Sequence, residues 1–138
     1  MHLVCLDLEG VLLPEIWIAI SDLTGISELR RTTRDEPDYG KLMHSRLALL
    51  SKNDIGIEDI RKTIETLDPL PGAVELTQWL VSNTRLIILS DTFVEFSSPL
   101  LKKLGFPTTF CHSLVINSKG KIVDFKLRQN GHKRRTVE

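Results

Sequence analysis

The first thirteen residues, Met1 to Leu13, constrain this chain more than any other stretch. An apolar run from Leu3 to Leu6 gives way to Asp7, Glu9 and Gly10. A short apolar run ended by a turn signal predicts a buried strand. In open α/β sheets ligands bind beyond the carboxyl ends of the strands, which puts Asp7 where chemistry is usually found. Side chains alternate along an extended backbone, so Asp7 and Glu9 point the same way. Two carboxylates on one side repel each other unless a cation joins them. A hard ion such as Mg²⁺, which prefers oxygen ligands and keeps several waters, suits the pair. Gly10 lets the chain turn sharply after it.

Helical periodicity takes over from there. Pro14 opens a helix at its favoured first position, with Ile16, Ile20 and Leu23 as the apolar stripe and Gly25 as the stop. Glu15 lies in the first turn, either as a carboxylate favoured by the helix dipole or as a polar group at the mouth of a site. Residues 26–37 predict a short helix and a loop. Asp38 then caps a helix reaching Lys52, with Tyr39, Leu42, Met43, Leu47 and Leu50 in its stripe. Arg46 sits in that same stripe. A guanidinium on an apolar face needs an anion, because unpaired burial is costly. The anion is either a structural carboxylate or a substrate carboxylate gripped by two parallel bonds. Ile57, Ile60, Ile64 and Leu67 make a further helix, and Pro69, Pro71 and Gly72 punctuate the chain after it.

From Ala73 a helix is predicted to about Asn83, with Leu76, Trp79 and Leu80 on one face. Arg85 to Leu89 is a second buried strand, ending in Ser90-Asp91-Thr92, and a helix from Phe93 to Leu104 follows. Strand, turn and helix start together make an anion site from backbone N–H groups and a hydroxyl. Ser90 reads equally well as a helix cap. Cys111 to Ile116 and Lys121 to Leu127 flank the turn Asn117-Ser118-Lys119-Gly120 and predict a β-hairpin.

Bulk properties narrow the function classes. The 138 residues suffice for one modest domain, and Lys+Arg balance Asp+Glu at 18 each, so no global field recruits nucleic acid or an anionic membrane. The basic run Lys133-Arg134-Arg135 reads as a solvated tail. No apolar stretch is long enough to span a bilayer, and Met1 leads straight into a core strand instead of a signal peptide, so a cytoplasmic location is expected. Cys5 and Cys111 both fall in predicted strands, with no zinc or disulfide spacing, and are expected to be free, buried thiols.

The order of these pieces resembles a known family. Asp7-Leu8-Glu9-Gly10-Val11 is similar to the first motif of haloacid dehalogenase (HAD) superfamily phosphatases, with Glu9 where most members carry Asp. Ser90 resembles the second motif and Lys133 the third. The helical insertion between motifs one and two resembles the phosphoserine phosphatase branch. Pro14-Glu15-Ile16-Trp17-Ile18, Thr33-Arg34-Asp35 and Leu89-Ser90-Asp91-Thr92-Phe93 resemble more closely still the phosphoserine phosphatase/homoserine phosphotransferase proteins, which are tied to serine biosynthesis and threonine metabolism.

The resemblance implies an α/β fold with a HAD-like Rossmannoid parallel core sheet, incomplete at the C-terminus, an inserted helical cap and a β-hairpin. It divides the chain into a discontinuous core, 1–13 and 69–138, and a cap, 14–68. It implies hydrolysis of L-phosphoserine, with homoserine as an alternative phosphoryl acceptor. Asp7 would be the nucleophile, forming an aspartyl-phosphate, and Glu9 the general acid and base. Lys133 would neutralise charge on the phosphoryl group, and Ser90, Asp91 and Thr92 would hold its oxygens. Glu15 would meet the substrate ammonium, Arg46 its carboxylate, and Met43 would line the pocket. Asp7 and the backbone carbonyl of Glu9 would bind Mg²⁺.

The family's fourth motif, Gly-Asp-x-x-x-Asp, is expected about 20 residues after Lys133, whereas the sequence ends at Glu138. The expectation is therefore a fragment with weak metal affinity, impaired turnover and an open sheet edge through which two copies could pair. The competing class is a non-catalytic HAD-like binding or dimerisation module. A response-regulator receiver domain fits less well, because its acceptor lies on a later strand and it has no helical cap.

Overall fold

The computed structural model describes residues 2–128. Four strands form one sheet in chain order: β1 (Leu3–Leu6), β2 (Arg85–Phe93), β3 (Thr109–Ile116) and β4 (Ile122–Lys126). The β1–β2 and β2–β3 pairs are parallel, and β3–β4 is the expected antiparallel hairpin. Five helices accompany the sheet: α1 (Ile16–Thr24), α2 (Tyr39–Lys52), α3 (Ile57–Glu65), α4 (Ala73–Asn83) and α5 (Val94–Lys103), with a 3-10 turn at Ser27–Arg30. The result is the mixed α/β architecture that the sequence predicts. No helix among the described residues is long and apolar enough to cross a membrane.

Local chemistry sets most boundaries. The Asp38 carboxylate accepts the Lys41 N–H at 3.1 Å and so caps α2, as a short acid at this position should. Gly25 ends α1 in the left-handed conformation. Pro14 lies outside α1, which begins at Ile16 with Glu15 as its extended capping residue. Gly10 has φ +80°, and the Leu8 carbonyl accepts the N–H groups of Val11, Leu12 and Leu13. This tight fold-back ends the first strand, and a side chain at residue 10 would strain it.

The excursion from 14 to 68 closes on itself, because Leu70 N–H donates to Leu12 C=O at 2.9 Å. Its helices share one apolar cluster with the sheet layer. Leu12, Ile16 and Ile20 pack with Ile60 and Ile64 of α3 and with Phe93, Phe96 and Leu100 around α5. Each such side chain contributes about 1.5–3 kcal/mol by leaving water. A second tie links this layer to the hairpin: Ile57 N–H donates to Gly120 C=O at 2.9 Å, and Lys121 pairs with Asp54.

Several expectations change. Helix α4 buries Ala73, Thr77 and Leu80, leaving Leu76 44 % and Trp79 59 % exposed. The helix carries two apolar stripes and turns the other one to the sheet. Leu23 is likewise exposed, and Trp17 joins Ile16 and Ile20 in the core instead. Cys5 is exposed and Cys111 half-buried, so neither is the fully buried thiol expected. Cys5 shares one face of β1 with Leu3, which is exposed as well, while Val4 and Leu6 on the other face are half-buried.

Burial, with the nearby Glu95 charge, pushes the Cys111 thiol up to about 11, against a smaller pull from Arg128. Because the thiolate is the nucleophile, iodoacetamide at about pH 8.5 should modify Cys5 well before Cys111. Peptide mass spectrometry reads this order directly, and equal rates would contradict the burial of Cys111. A Cβ on Gly56 would stand 2.8 Å from Gly120 O. Gly56→Ala should therefore cost roughly 1–3 kcal/mol in urea unfolding, through forced separation of α3 from the hairpin turn. An unchanged midpoint would mean that the turn gives way freely.

Candidate functional site

The strand ends converge as an α/β sheet requires. Beyond β1 and β2 lies a pocket of about 230 Å³, lined from the core by Asp7, Glu9, Ser90, Asp91 and Thr92. The helical layer closes it with Glu15, Trp17 and Ile18 of the α1 region, Tyr39, Leu42 and Arg46 of α2, and Arg30, Thr32 and Thr33 between them. That volume is below the ~300 Å³ at which drug-sized pockets begin, and suits a ligand of amino-acid size.

Seven of the residues singled out from sequence meet in this one pocket: Asp7, Glu9, Glu15, Arg46, Ser90, Asp91 and Thr92. Two do not. Met43 is fully buried behind the pocket wall, with its sulfur 3.6 Å from Arg46 Nη1, so it backs the guanidinium and does not line the cavity. Lys133 lies outside the described residues. Sequence reasoning missed Trp17, Tyr39 and Leu42 as lining groups. A signal existed for two of them, since Tyr39, Leu42 and Arg46 follow the i, i+3, i+7 spacing of one helix face.

The strand that carries Ser90 differs from expectation. Pairing of β2 with β3 does not stop at Leu89 but resumes at Phe93↔His112 after a shift in register. Residues 90–92 thus occupy a bulge, a device that re-aims side chains beside active sites. Helix α5 starts only at Val94, and its first turn does not line the pocket. Ser90 does not cap that helix. Its Oγ accepts the Thr92 N–H at 3.1 Å, which leaves the hydroxyl proton available to a ligand.

Arg46 is the most constrained charge. It is 7 % exposed, with its guanidinium carbon 4.7 Å above the Trp17 ring. Nη2 donates to Arg31 C=O at 2.8 Å, while the buried Nε has no acceptor. Among the described residues no carboxylate stands within 4.0 Å of it. Burial lowers its pKa to about 10, with Tyr39 and Glu9 acting the other way, so it stays a cation at neutral pH. Burial likewise raises the Glu9 carboxyl above its ordinary range. A hydrogen bond from Thr92 and the Arg46 charge pull it back, and Glu15 and Asp7 push it further up. Tyr39 is also raised, first by burial and then by the Asp91 charge.

The oxygen donors for a metal are Asp7, Glu9 and the adjacent backbone carbonyls. No group of three or more His, Cys, Asp or Glu side chains gathers as a metal cluster among the described residues. Among the described residues four carboxylates and two guanidiniums line the cavity.

Comparison with known proteins decides the family. Over 137 residues, 99 % of this chain, the sequence is 52 % identical to the phosphoserine phosphatase ThrH of Pseudomonas aeruginosa, covering 67 % of that protein. This chain belongs to the phosphoserine phosphatase family. A phosphoserine phosphatase of Pseudomonas syringae pv. tomato is 51 % identical over the same span, of which the chain covers 58 %. No protein-family model matches the sequence. Among solved structures, a phospho-aspartyl intermediate analogue of phosphoserine phosphatase superposes with a TM-score of 0.72 at 21 % identity, over 91 % of this chain and 62 % of that one. Its likeness shows the shared fold, that of the HAD phosphoserine phosphatases.

Removal of the Thr92 hydroxyl takes away a bond that holds the Glu9 pKa down. In metal-free protein, Thr92→Val should move the Glu9 titration to still higher pH, as read by carbon-13 NMR of the side-chain carboxyl. A downward shift would show that this bond does not favour the carboxylate.

Proposed function

We propose that this chain hydrolyses L-phosphoserine through an aspartyl-phosphate on Asp7, with residues 1–13 and 69–138 as core and 14–68 as cap. The observation that carries the reading is the Arg46 guanidinium: buried in the pocket of Asp7 and Glu9, with its Nε lacking an acceptor and no carboxylate within 4.0 Å among the described residues. A substrate carboxylate would supply that acceptor. Glu15, in the same pocket, would take the substrate ammonium. The names of the two Pseudomonas relatives support this substrate, and the phospho-aspartyl analogue recorded for the structural relative supports the intermediate.

In the first step an Asp7 oxygen attacks phosphorus as the P–O bond to the seryl oxygen breaks, and the Glu9 proton passes to that oxygen. The burial that raises the Glu9 pKa acts in the direction a general acid needs. In the second step Glu9, now a carboxylate, takes a proton from water. The water oxygen attacks phosphorus, and phosphate leaves Asp7 restored. The Ser90 hydroxyl and nearby amides would hold the phosphoryl oxygens. From the family resemblance, Lys133 would balance their charge. A homoserine hydroxyl entering in place of water would take the phosphoryl group from the same intermediate.

Magnesium fits this donor set. The ion commonly takes one or two carboxylates and completes its shell with substrate phosphate and water, so it needs no larger protein cluster. Asp7 and the Glu9 carbonyl would hold it, and when bound it supplies charge neutralisation between the Asp7 carboxylate and the phosphate.

Phosphate release from L-phosphoserine with Mg²⁺ should exceed that of Asp7→Asn, and equal rates would remove Asp7 as nucleophile. Arg46→Ala should raise KM for phosphoserine by roughly a hundredfold, and Arg46→Lys should recover only part because an ammonium cannot grip a carboxylate bidentately. Phosphoethanolamine, which lacks the carboxylate, should be nearly indifferent to either change. An equal loss on both substrates would make Arg46 a structural residue.

A further inference from the structure

The bulge at 90–92 needs something to hold it. From Leu89 to Phe93 β2 advances four residues, while β3 advances two, from Phe110 to His112. Residues inside such a bulge lose their ordinary ladder partners. His112, opposite Phe93 and 7 % exposed, stands where β2 and β3 resume pairing. Its Nδ1 accepts the Arg128 N–H at 2.9 Å. A ring nitrogen that accepts carries no proton, so the neutral imidazole bears its hydrogen on Nε2. That atom is 3.2 Å from Asp91 Oδ1. On the other side the Asp91 carbonyl accepts the Tyr39 hydroxyl at 2.7 Å. Asp91 is therefore held by its side chain from β3 and by its backbone from α2, one residue after Ser90.

We propose that His112 is a positioning residue for phosphate binding: its Nε2–H keeps the Asp91 carboxylate engaged on β3 and restrains it from turning towards the phosphate. The inference rests on the functional reading above, which puts the phosphate beside Asp7 and Ser90. A carboxylate this close to an anion site works against a phosphate dianion through like-charge repulsion. Asp91 lines the cavity and its side chain is 63 % exposed, so where its charge points bears on any phosphate held beside Ser90. A buried histidine with one nitrogen satisfied by backbone and the other aimed at the carboxylate sets that direction.

The test uses the full chain with Mg²⁺ and L-phosphoserine. His112→Leu should raise KM roughly tenfold through released like charge, with kcat within about twofold of wild type. His112→Gln, which offers an amide donor to Asp91, should recover most of the affinity. Adding Asp91→Asn to His112→Leu should also recover it, since the backbone N–H remains and the charge is gone. A merely structural role for His112 would give no such recovery. An unchanged KM in His112→Leu, or no recovery in the double variant, overturns the proposal. Circular dichroism and thermal melting identify a variant that has not folded, in which case the Gln variant and Asp91→Asn in the wild-type background carry the comparison.

If wild type releases no more phosphate than Asp7→Asn, it is the functional reading that fails. Inorganic phosphate binding followed by phosphorus NMR then reads the His112 effect by itself. The same pattern of loss and recovery supports the role, and equal affinities across the series overturn it.

Discussion

A guanidinium taken out of water has to find acceptors, and Arg46 finds few. It has one carbonyl at Arg31, a sulfur at Met43, the face of Trp17 and the nearby charge of Glu9. Much of the pocket is arranged around that shortage. Trp17, in the first turn of α1, sets its ring beneath the guanidinium carbon. Arg31 must present its carbonyl, which fixes the chain just after the 3-10 turn. The same cation lowers the pKa of Glu9, which burial would otherwise raise further. An arrangement that leaves a buried N–H unanswered is costly on its own, and it gains an outlet when a ligand brings a carboxylate.

The acidic pair and the bulge divide the remaining work. Asp7 and Glu9 are presented by the fold-back that follows β1, where the Leu8 carbonyl gathers three successive N–H groups. Ser90, Asp91 and Thr92 are presented by irregular pairing between β2 and β3. Both devices interrupt regular structure at the ends of adjacent parallel strands, where the backbone is free to aim groups forward. Regular sheet supplies the rigidity behind them, and the helical layer lines the rest of the cavity.

Much of this was legible in the sequence for identifiable reasons. The end of β1 is marked by an abrupt apolar-to-polar change, and the α2 cap by Asp38, whereas the same change after Leu89 marks the irregular stretch inside β2 and not its end. Arg46 stood out because its charge contradicts the stripe it occupies. Two kinds of information were not legible. The phase of α4 depends on which of two apolar stripes meets the sheet, and Leu76 and Trp79 fit a helix face as well as Thr77 and Leu80 do. The bulge at 90–92, and with it His112, depends on register with a strand some twenty residues away. Nothing local to either segment encodes that shift. Met43 shares the stripe of Arg46, three residues on, and its fully buried sulfur packs against the guanidinium and not into the cavity.

The helical layer is pinned at three separated places: Leu70 to Leu12 at its base, Tyr39 to Asp91 over the cavity, and Ile57 to Gly120 at the hairpin. A lid fastened on three sides cannot swing as one body. Residues 31–38, which bring Thr32 and Thr33 to the cavity wall, are tied as well, by Arg31 C=O to Arg46 and by the hydrogen bonds between Thr32 and Asp35. A site bounded in this way is shaped before its ligand arrives, so binding need not also order its walls.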